Sequence, residues 1–496
     1  MKILAAFALA LASFATVACS SAKPTPTGET PRATPPNIVF IMTDDQGYGD
    51  LACHGHPFLQ TPNLDRLYAQ STRFTDYHAS PTCAPTRAAL MSGKMPFEVG
   101  VTHTILERER MALGVATIAE VLKGAGYETA ISGKWHLGEA DAYQPGARGF
   151  DEVFIHGAGG IGQNYQGSQG DAPGTNYFDP IIRHNGSFVQ THDFCTDVFF
   201  QHALGWIKER KDSGKPFFVY IPTNAPHAPF LAPKKYLDLY RPHVKNKKQR
   251  AFFGMIHNID ENVGLVMDKL EEWGLADNTL LVFTTDNGTA LGAKIYNAGM
   301  KGGKGTPHEG GARVPLFVRL PGVTTPGRDI DRLARHLDLF PTLAQLAGAD
   351  VQGLGLEGRS LLPLIENPQA PWPDRMTYFH GGRWPREGAR GQFGQGDTNI
   401  DNYTYANSAV RNETWRLVNG EALYHVQSDP GEKHNVIDKH PEIAAEMRAY
   451  LEARWQAARP LMVNEDAPLD VEKPFRVQFE KQKAQGGIPE WEAPDL

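Results

Sequence analysis

Five short, largely apolar runs constrain the fold of this chain more than any other feature: residues 37–42, 128–131, 217–221, 279–283 and 314–318. Their apolar residues are contiguous rather than alternating with polar ones, the pattern of strands covered on both faces of a parallel sheet. Segments with apolar residues at helical spacing lie among them, at 117–124, 196–210 and 252–273. Strands alternating with helices predict an α/β domain with helices on both sides of its sheet. The Gly-rich stretch 157–174 has no period and reads as an irregular loop. A further helix is expected at 336–343, and the composition turns Pro-rich around 363–373, which marks a boundary. Beyond it come short candidate strands at 404–411, 415–418 and 422–425, with Gly420 marking a hairpin, then a helix at 442–457. The expected division is a large domain over 37–365 and a smaller α+β module over 366–496. At 496 residues the chain has room for both; about 150 residues per domain would suggest three, but large α/β domains exceed that size.

The N-terminus reads as a targeting segment. Lys2 is followed by an apolar run from Ile3 to Val17, too short and badly flanked for a stable membrane span. Then comes Thr16-Val17-Ala18-Cys19 and a Ser/Pro/Thr-rich stretch to Pro36. Small residues before Cys19 resemble a bacterial lipobox, which would make Cys19 the lipidated first residue of the mature chain. The alternative is an ordinary cleaved signal with an incidental Cys. The expectation is a signal peptide over 1–18, a flexible tether over 19–36, and export to the periplasm or outer membrane of a bacterium. Of the four cysteines, Cys53 and Cys195 are left to pair or not, which spacing cannot decide. The net charge of −7 argues against general nucleic-acid binding.

Two of the expected strands end alike, in Thr43-Asp44-Asp45 and in Thr285-Asp286-Asn287-Gly288. Ligands of open α/β sheets bind at the carboxyl ends of strands. Three carboxylates and an amide oxygen meeting there make an all-oxygen site suited to Ca2+ or Mg2+. Either motif alone could be a turn or a helix cap. Cys83-Ala84-Pro85-Thr86-Arg87 reads as a thiol near an Arg at a helix N-terminus, or as a buried structural Cys.

Taken together, these segments resemble the type I sulfatases of the alkaline phosphatase superfamily. Cys83-x-Pro85-x-Arg87 is similar to their signature, in which the Cys is converted to formylglycine by a dedicated maturation enzyme. Asp44-Asp45-x-Gly47-Tyr48-Gly49-Asp50 resembles the first metal motif, and Thr61-Pro62-Asn63-Leu64-Asp65 the segment after it. Gly133-Lys134-Trp135-His136-Leu137-Gly138 is similar to the second signature, and Pro226-His227-Ala228-Pro229 to the catalytic His segment. Asp286-Asn287-Gly288 resembles the second metal motif. Lys301-Gly302-Gly303-Lys304 with Glu309-Gly310-Gly311-x-Arg313 resembles the sulfate-binding loop, and Leu423-Tyr424 with Asp429-Pro430-Gly431-Glu432 the C-terminal module.

The resemblance implies a large mixed, mostly parallel sheet sandwiched by helices, with a smaller C-terminal antiparallel sheet, and a catalytic domain over 37–365. It implies that Asp44, Asp45, Asp286, Asn287 and the modified Cys83 hold the metal, Ca2+ with Mg2+ as the alternative. It implies that one hydroxyl of the hydrated formylglycine attacks sulfur and that Arg87 holds this diol. Lys134 and Lys304 clamp the sulfate oxygens, His227 protonates the leaving alcohol, and His136 takes a proton from the second hydroxyl as sulfate departs. Without the resemblance, Lys134 and His136 would read as a solvated strand end, His227 as a rigid loop, and Lys301 and Lys304 as surface charge. His103, Arg108, His156, Gln163 and His308 are candidates for touching the rest of the substrate, or ordinary loop residues. The expected substrate is a sulfated carbohydrate. A phosphonate monoester or phosphodiester hydrolase, and a non-catalytic glycan-binding lipoprotein, are the competing readings.

Overall fold

Residues buried on both faces of a strand must find cover on both, and the first run does. In the computed structural model, which describes residues 35–164, 170–384, 399–465 and 472–496, Asn37–Thr43 forms strand β1 and every residue of it is buried. The signal peptide, Cys19 and the tether as far as residue 34 lie outside the described residues. Along β1, Ile38, Phe40 and Met42 point into one apolar cluster and Val39 and Ile41 into another, the period-2 alternation of a strand. Burying one such side chain contributes about 1.5–3 kcal/mol, so this strand alone is worth much of a domain's marginal net stability.

Nine more strands complete the sheet: β2 (Thr72–Phe74), β3 (Glu128–Lys134), β4 (Glu152–His156), β5 (Ile181–His184), β6 (Ser187–Gln190), β7 (Phe217–Pro222), β8 (Thr279–Thr285), β9 (Leu316–Arg319) and β10 (Arg328–Ile330). Their order is β10-β2-β9-β8-β1-β7-β3-β4-β5-β6. The middle strands β8, β1, β7, β3 and β4 are parallel, while β9 against β8, and β5 and β6 beyond β4, are antiparallel. Helices α1 (Pro62–Gln70), α2 (Cys83–Ser92), α3 (Ile118–Gly124), α4 (Cys195–Arg210), α5 (Lys247–Glu272) and α6 (Leu339–Leu346) cover it. α2, α3 and α6 pack on the Ile38 face, and α1, α4 and α5 on the Val39 face.

The long helix α5 begins before its first apolar residue because the Asn246 side chain accepts from the amides of Lys248 and Gln249, at 2.9 and 3.2 Å. β9 starts after Pro315 rather than at Val314; Pro315 has no N–H to give a ladder. The strand expected over 404–411 forms only at Ser408–Arg411, because the chain before it turns, with Asn407 at φ 55°. The described residues of 157–174 contain no helix or strand.

The second sheet is antiparallel, in sequence order β11 (Thr377–His380), β12 (Ser408–Arg411), β13 (Trp415–Val418) and β14 (Ala422–His425). Asn419 and Gly420, both at positive φ (51° and 70°), make the tight turn between β13 and β14. Helix α7 (Pro441–Ala458) covers this sheet with Ala444, Met447, Leu451 and Trp455. A last helix, α8 (Pro474–Gly486), returns to the large sheet through Phe475 and Phe479.

A buried ionic knot fastens the small sheet to the large one. Glu309 accepts from Arg411 Nε at 3.0 Å and from Arg416 Nη2 at 2.6 Å. Burial alone would raise this carboxyl, but Arg416 and Arg411 hold it well below the usual range. Glu432 Oε1 accepts from the Glu309 amide at 2.7 Å, and Asn407 Nδ2 donates to Gly305 O at 2.8 Å. The loop between Lys301 and Arg313 is therefore gripped from both sides.

Candidate active site

The parallel strands deliver their carboxyl ends to one edge. Thr43 of β1 pairs with Thr285 of β8, so Asp44 and Asp286 leave the sheet side by side. Lys134 ends β3, and the loop after β7 carries Asn224 and His227. Backbone bonds extend the ladder into the turns: Asp286 N donates to Thr43 O at 3.0 Å and Asp44 N to Ala225 O at 3.1 Å. The expected residues Asp44, Asp45, Cys83, Arg87, Lys134, His136, His227, Asp286, Asn287 and Lys304 all gather at this edge.

Cys83 is the first residue of α2, which is buried along its whole length. Its Sγ and one carboxylate oxygen each of Asp44 and Asp286 lie within 4.8 Å of one another. Asn287 Nδ2 donates to Asp45 Oδ1 at 2.9 Å, and Asp45 N to Asp286 Oδ1 at 3.1 Å. Three cations answer the three carboxylates. Arg87 donates through Nη2 to Asp286 Oδ2 at 2.8 Å and through Nη1 to Lys134 O at 3.1 Å. Lys134 Nζ meets Asp44 Oδ2 at 2.6 Å, and Lys304 Nζ meets Asp45 Oδ1 at 2.6 Å and Oδ2 at 2.7 Å. Burial and the Asp286 charge push the Asp44 carboxyl well above its usual range, against the pull of Lys134. Burial would raise Asp45 too, but Lys304 and His227 hold it low.

This donor set fits a hard divalent cation. Asp44 Oδ1 and Asn287 Oδ1 are buried acceptors with no donor among the described residues, and such atoms cost free energy unless a cation or hydrogen bond satisfies them. Apart from the Cys83 position, every candidate ligand atom is oxygen, the preference of Ca2+ and Mg2+.

Both histidines have a defined tautomer, because a carbonyl oxygen can only accept. His136 Nε2 donates to Thr104 O at 2.8 Å, which leaves Nδ1 as the lone-pair nitrogen. Its backbone sits at φ 61°, a left-handed conformation uncommon for a non-glycine residue. Burial, then Lys134, keeps its ring neutral well below the usual range. His227 Nδ1 donates to Ala228 O at 2.7 Å, so Nε2 faces Asp45 Oδ2 at 3.8 Å. Burial, with Lys304 next, pushes His227 down to about 3. Lys134 is fully buried whereas Lys304 and His227 are 20% and 12% exposed, so the centre opens to solvent on their side.

Two supports were not legible in the sequence. Tyr177 donates its hydroxyl to Asn224 O at 2.6 Å and His227 O at 2.8 Å, fixing the His227 loop. A Cβ on Gly159 would come within 2.9 Å of the His136 ring, and one on Gly160 within 2.7 Å of His227 Nδ1. In the sequence the run of glycines is the one signal of this, and it reads only as an irregular loop. Among the five expected substrate-contact residues, His156 is turned to Asp171 at 3.2 Å, which also accepts from the Gly157 and Gly162 amides. His308 pairs with Glu432. Arg108 donates to Trp384 O at 3.0 Å, and His103 Nδ1 accepts the Thr104 amide at 2.7 Å. These four hold loops; Gln163 stays beside Gly159 near His136. Lys301 lies over the Tyr424 ring at 5.4 Å, a contact with the small sheet. Cys53 and Cys195 are free thiols.

Possible metal-ligating oxygens at the carboxyl edge of an α/β sheet, ringed by Lys and Arg, suit a hydrolase of anionic esters. The family model described as Sulfatase matches residues 36–349, and that described as N-sulphoglucosamine sulphohydrolase, C-terminal, matches 304–457. Arylsulfatase A of Homo sapiens is 33% identical over 453 residues, covering 82% of this chain and 84% of its own. N-acetylgalactosamine-6-sulfatase of Homo sapiens is 34% identical over 370 residues, covering 70% of this chain and 69% of its own. The solved structure of Ps i-CgsB in complex with k-i-k-neocarrahexaose superposes with a TM-score of 0.73 at 27% identity, covering 90% of this chain and 98% of that one. The chain belongs to the sulfatase family. Its reaction is the hydrolysis of a sulfate ester, in a family that depends on formylglycine and binds metal.

Proposed function

We propose that Cys83, converted to formylglycine by a maturation enzyme, carries the nucleophile, and that Asp44, Asp45, Asp286 and Asn287 hold Ca2+ beside it, with Mg2+ as the alternative. The observation that carries this reading is the meeting of Cys83 with Asp44 and Asp286 within 4.8 Å in a buried, oxygen-rich centre. The hydrated aldehyde supplies one hydroxyl to attack sulfur and a second whose deprotonation lets sulfate leave. A divalent cation held by Asp44, Asp45, Asp286 and Asn287 would lower the pKa of the attacking hydroxyl and cancel charge on the sulfate oxygens.

The chain's own groups do the rest. Arg87 fixes the Asp286 carboxylate by its bonds to Oδ2. Lys134 and Lys304 bring positive charge to the sulfate oxygens, where it grows most useful in the transition state. His227 Nε2, on the open side, carries a proton to the leaving oxygen. Burial, then Lys304, depresses this ring, and an anionic ester against Lys304 offsets the second of these and moves it upward. His136 Nδ1 takes the proton of the second hydroxyl, its orientation set by Thr104 O. On this reading His227→Ala lowers kcat on an alkyl sugar sulfate by about 10²–10⁴-fold. It lowers turnover of an activated aryl sulfate far less, since that leaving group needs no proton. Equal losses on both substrates would refute the acid role.

The substrate class proposed is a sulfated carbohydrate. Support comes from the relative named for N-acetylgalactosamine 6-sulfate and from the saccharide complex of Ps i-CgsB. Sulfate release from sulfated mono- and oligosaccharides, measured beside turnover of a phosphonate monoester, tests it. Preference for the phosphonate would overturn it. We further propose export and attachment to a membrane through a lipid on Cys19. The support is the lipobox-like Thr16-Val17-Ala18-Cys19 at the end of the apolar run from Ile3, followed by a Ser/Pro/Thr-rich stretch that suits a tether. In the native host a Cys19→Ala chain leaves the membrane fraction while the unaltered chain stays; identical partition of the two sinks the anchor.

A further inference from the structure

One group of metal-ligating side chains takes no part in this chemistry. Glu152 opens β4, His184 closes the antiparallel β5 beside it, and His202 reaches them from α4. Glu152 Oε1 accepts from His184 Nε2 at 2.7 Å and from His202 Nε2 at 3.2 Å. One atom from each of the three lies within 4.8 Å of the other two. The rings are held in place: His202 stacks on Phe154 at 4.1 Å and 9°, and His184 stands edge-on to His202 at 5.3 Å. Asn185 Nδ2 donates to the other Glu152 oxygen at 3.2 Å, which orients the carboxylate. The cluster is at the amino end of β4, whereas the active site lies at the carboxyl ends. The four residue steps to His156 span about 13 Å.

We propose that Glu152, His184 and His202 form a second metal site, for a transition ion of the Zn2+ kind. Two imidazole nitrogens and one carboxylate oxygen are a three-protein-ligand Zn2+ set. Imidazole favours Zn2+, Ni2+ and Cu2+, whereas the oxygen-rich active centre favours Ca2+ and Mg2+. Ligand atoms around a tetrahedral Zn2+ stand about 3.4 Å apart at its usual bond lengths. The two separations from Glu152, 2.7 and 3.2 Å, reach that with shifts under 1 Å, and the third lies within 4.8 Å. Access exists as well. The three line a cavity of about 350 Å³ with Glu209, Trp206, Trp491 and Glu492, and His184 is 31% exposed. The ion would join β4, β5 and α4, three elements that otherwise meet there through hydrogen bonds and ring contacts. Its consequence is stability rather than turnover.

The test uses the full chain without a polyhistidine tag, saturated with Ca2+ and titrated calorimetrically with Zn2+ alone. We expect one Zn2+ bound at about 1 μM or tighter and a melting temperature raised by a few degrees. His184→Gln and Glu152→Gln should each weaken Zn2+ binding at least tenfold, while His184→Gln leaves sulfate-ester turnover unchanged and removes the rise in melting temperature that Zn2+ gives the unaltered chain. His184 is the most exposed of the three, half-buried at 31%, so its variant should fold even if others do not. An Asp286→Asn chain should keep the Zn2+ site. The proposal fails if the folded chain binds no Zn2+, if both Gln variants bind it as the unaltered chain does, or if Asp286→Asn abolishes the binding.

Discussion

A chain with Ala or Ser at position 83 loses sulfate-ester hydrolysis by at least about 10⁴-fold while keeping its fold. The expected size follows from the loss of a covalent nucleophile, among the largest single effects in enzymes. The Ser variant is the sharper of the two. It is nearly isosteric in the buried first turn of α2, and it can attack sulfur once. It has no second hydroxyl from which sulfate can be expelled, so it should stall after one turnover where the unaltered chain cycles. Peptide mass spectrometry on active protein should find residue 83 about 18 Da lighter than Cys, as exchange of the thiol for an aldehyde requires. Sustained turnover by Cys83→Ser, or active protein with an unmodified thiol, would end the formylglycine reading.

Asp286→Ala combines a catalytic with a structural loss. Its carboxylate accepts twice from Arg87 and once from the Asp45 amide. Arg87 is 1% exposed, so truncating its nearest partner leaves a buried guanidinium with only the more distant Asp44 carboxylate, 4.0 Å away, to balance it. Breaking a buried pair in this way costs about 3–5 kcal/mol, and thermal unfolding should move down by several degrees. Asp286→Asn keeps the shape and one acceptor oxygen, so its unfolding temperature should fall less. Its metal content and activity should nevertheless fall about as far as those of the Ala variant, at least 10³-fold in kcat/KM, if Asp286 is a metal ligand. An Asn variant with full metal and near-normal turnover removes Asp286 from the metal site.

The contrast between these sites and the rest of the fold reflects how information is stored in the chain. Asp44-Asp45, Cys83-x-Pro85-x-Arg87 and Asp286-Asn287 are local words at the ends of strands whose apolar runs are themselves local, so both were readable. The strands β2, β4, β5, β6 and β10 are three to five residues long with mixed polarity, and they exist because a neighbour offers a ladder. No period announces that. Partnership was hidden for the same reason. That Lys134 meets Asp44, ninety positions away, depends on β3 lying beyond β7 from β1, a fact of topology rather than of spacing. His156 and His308 show the converse: each had the composition of a ligand contact, and each is turned to a carboxylate, Asp171 and Glu432.

The grip of the small sheet on the Lys301–Arg313 segment bears on how such enzymes can be recombined. Arg411, Arg416 and Glu432 seize Glu309, and Asn407 holds Gly305, one residue past Lys304. A chimera joined near residue 365, where composition suggests a seam, would pair one parent's lysine loop with the other parent's scaffold. Swapping substrate preference between homologues therefore calls for a crossover upstream of Lys301, so that loop and scaffold are inherited together.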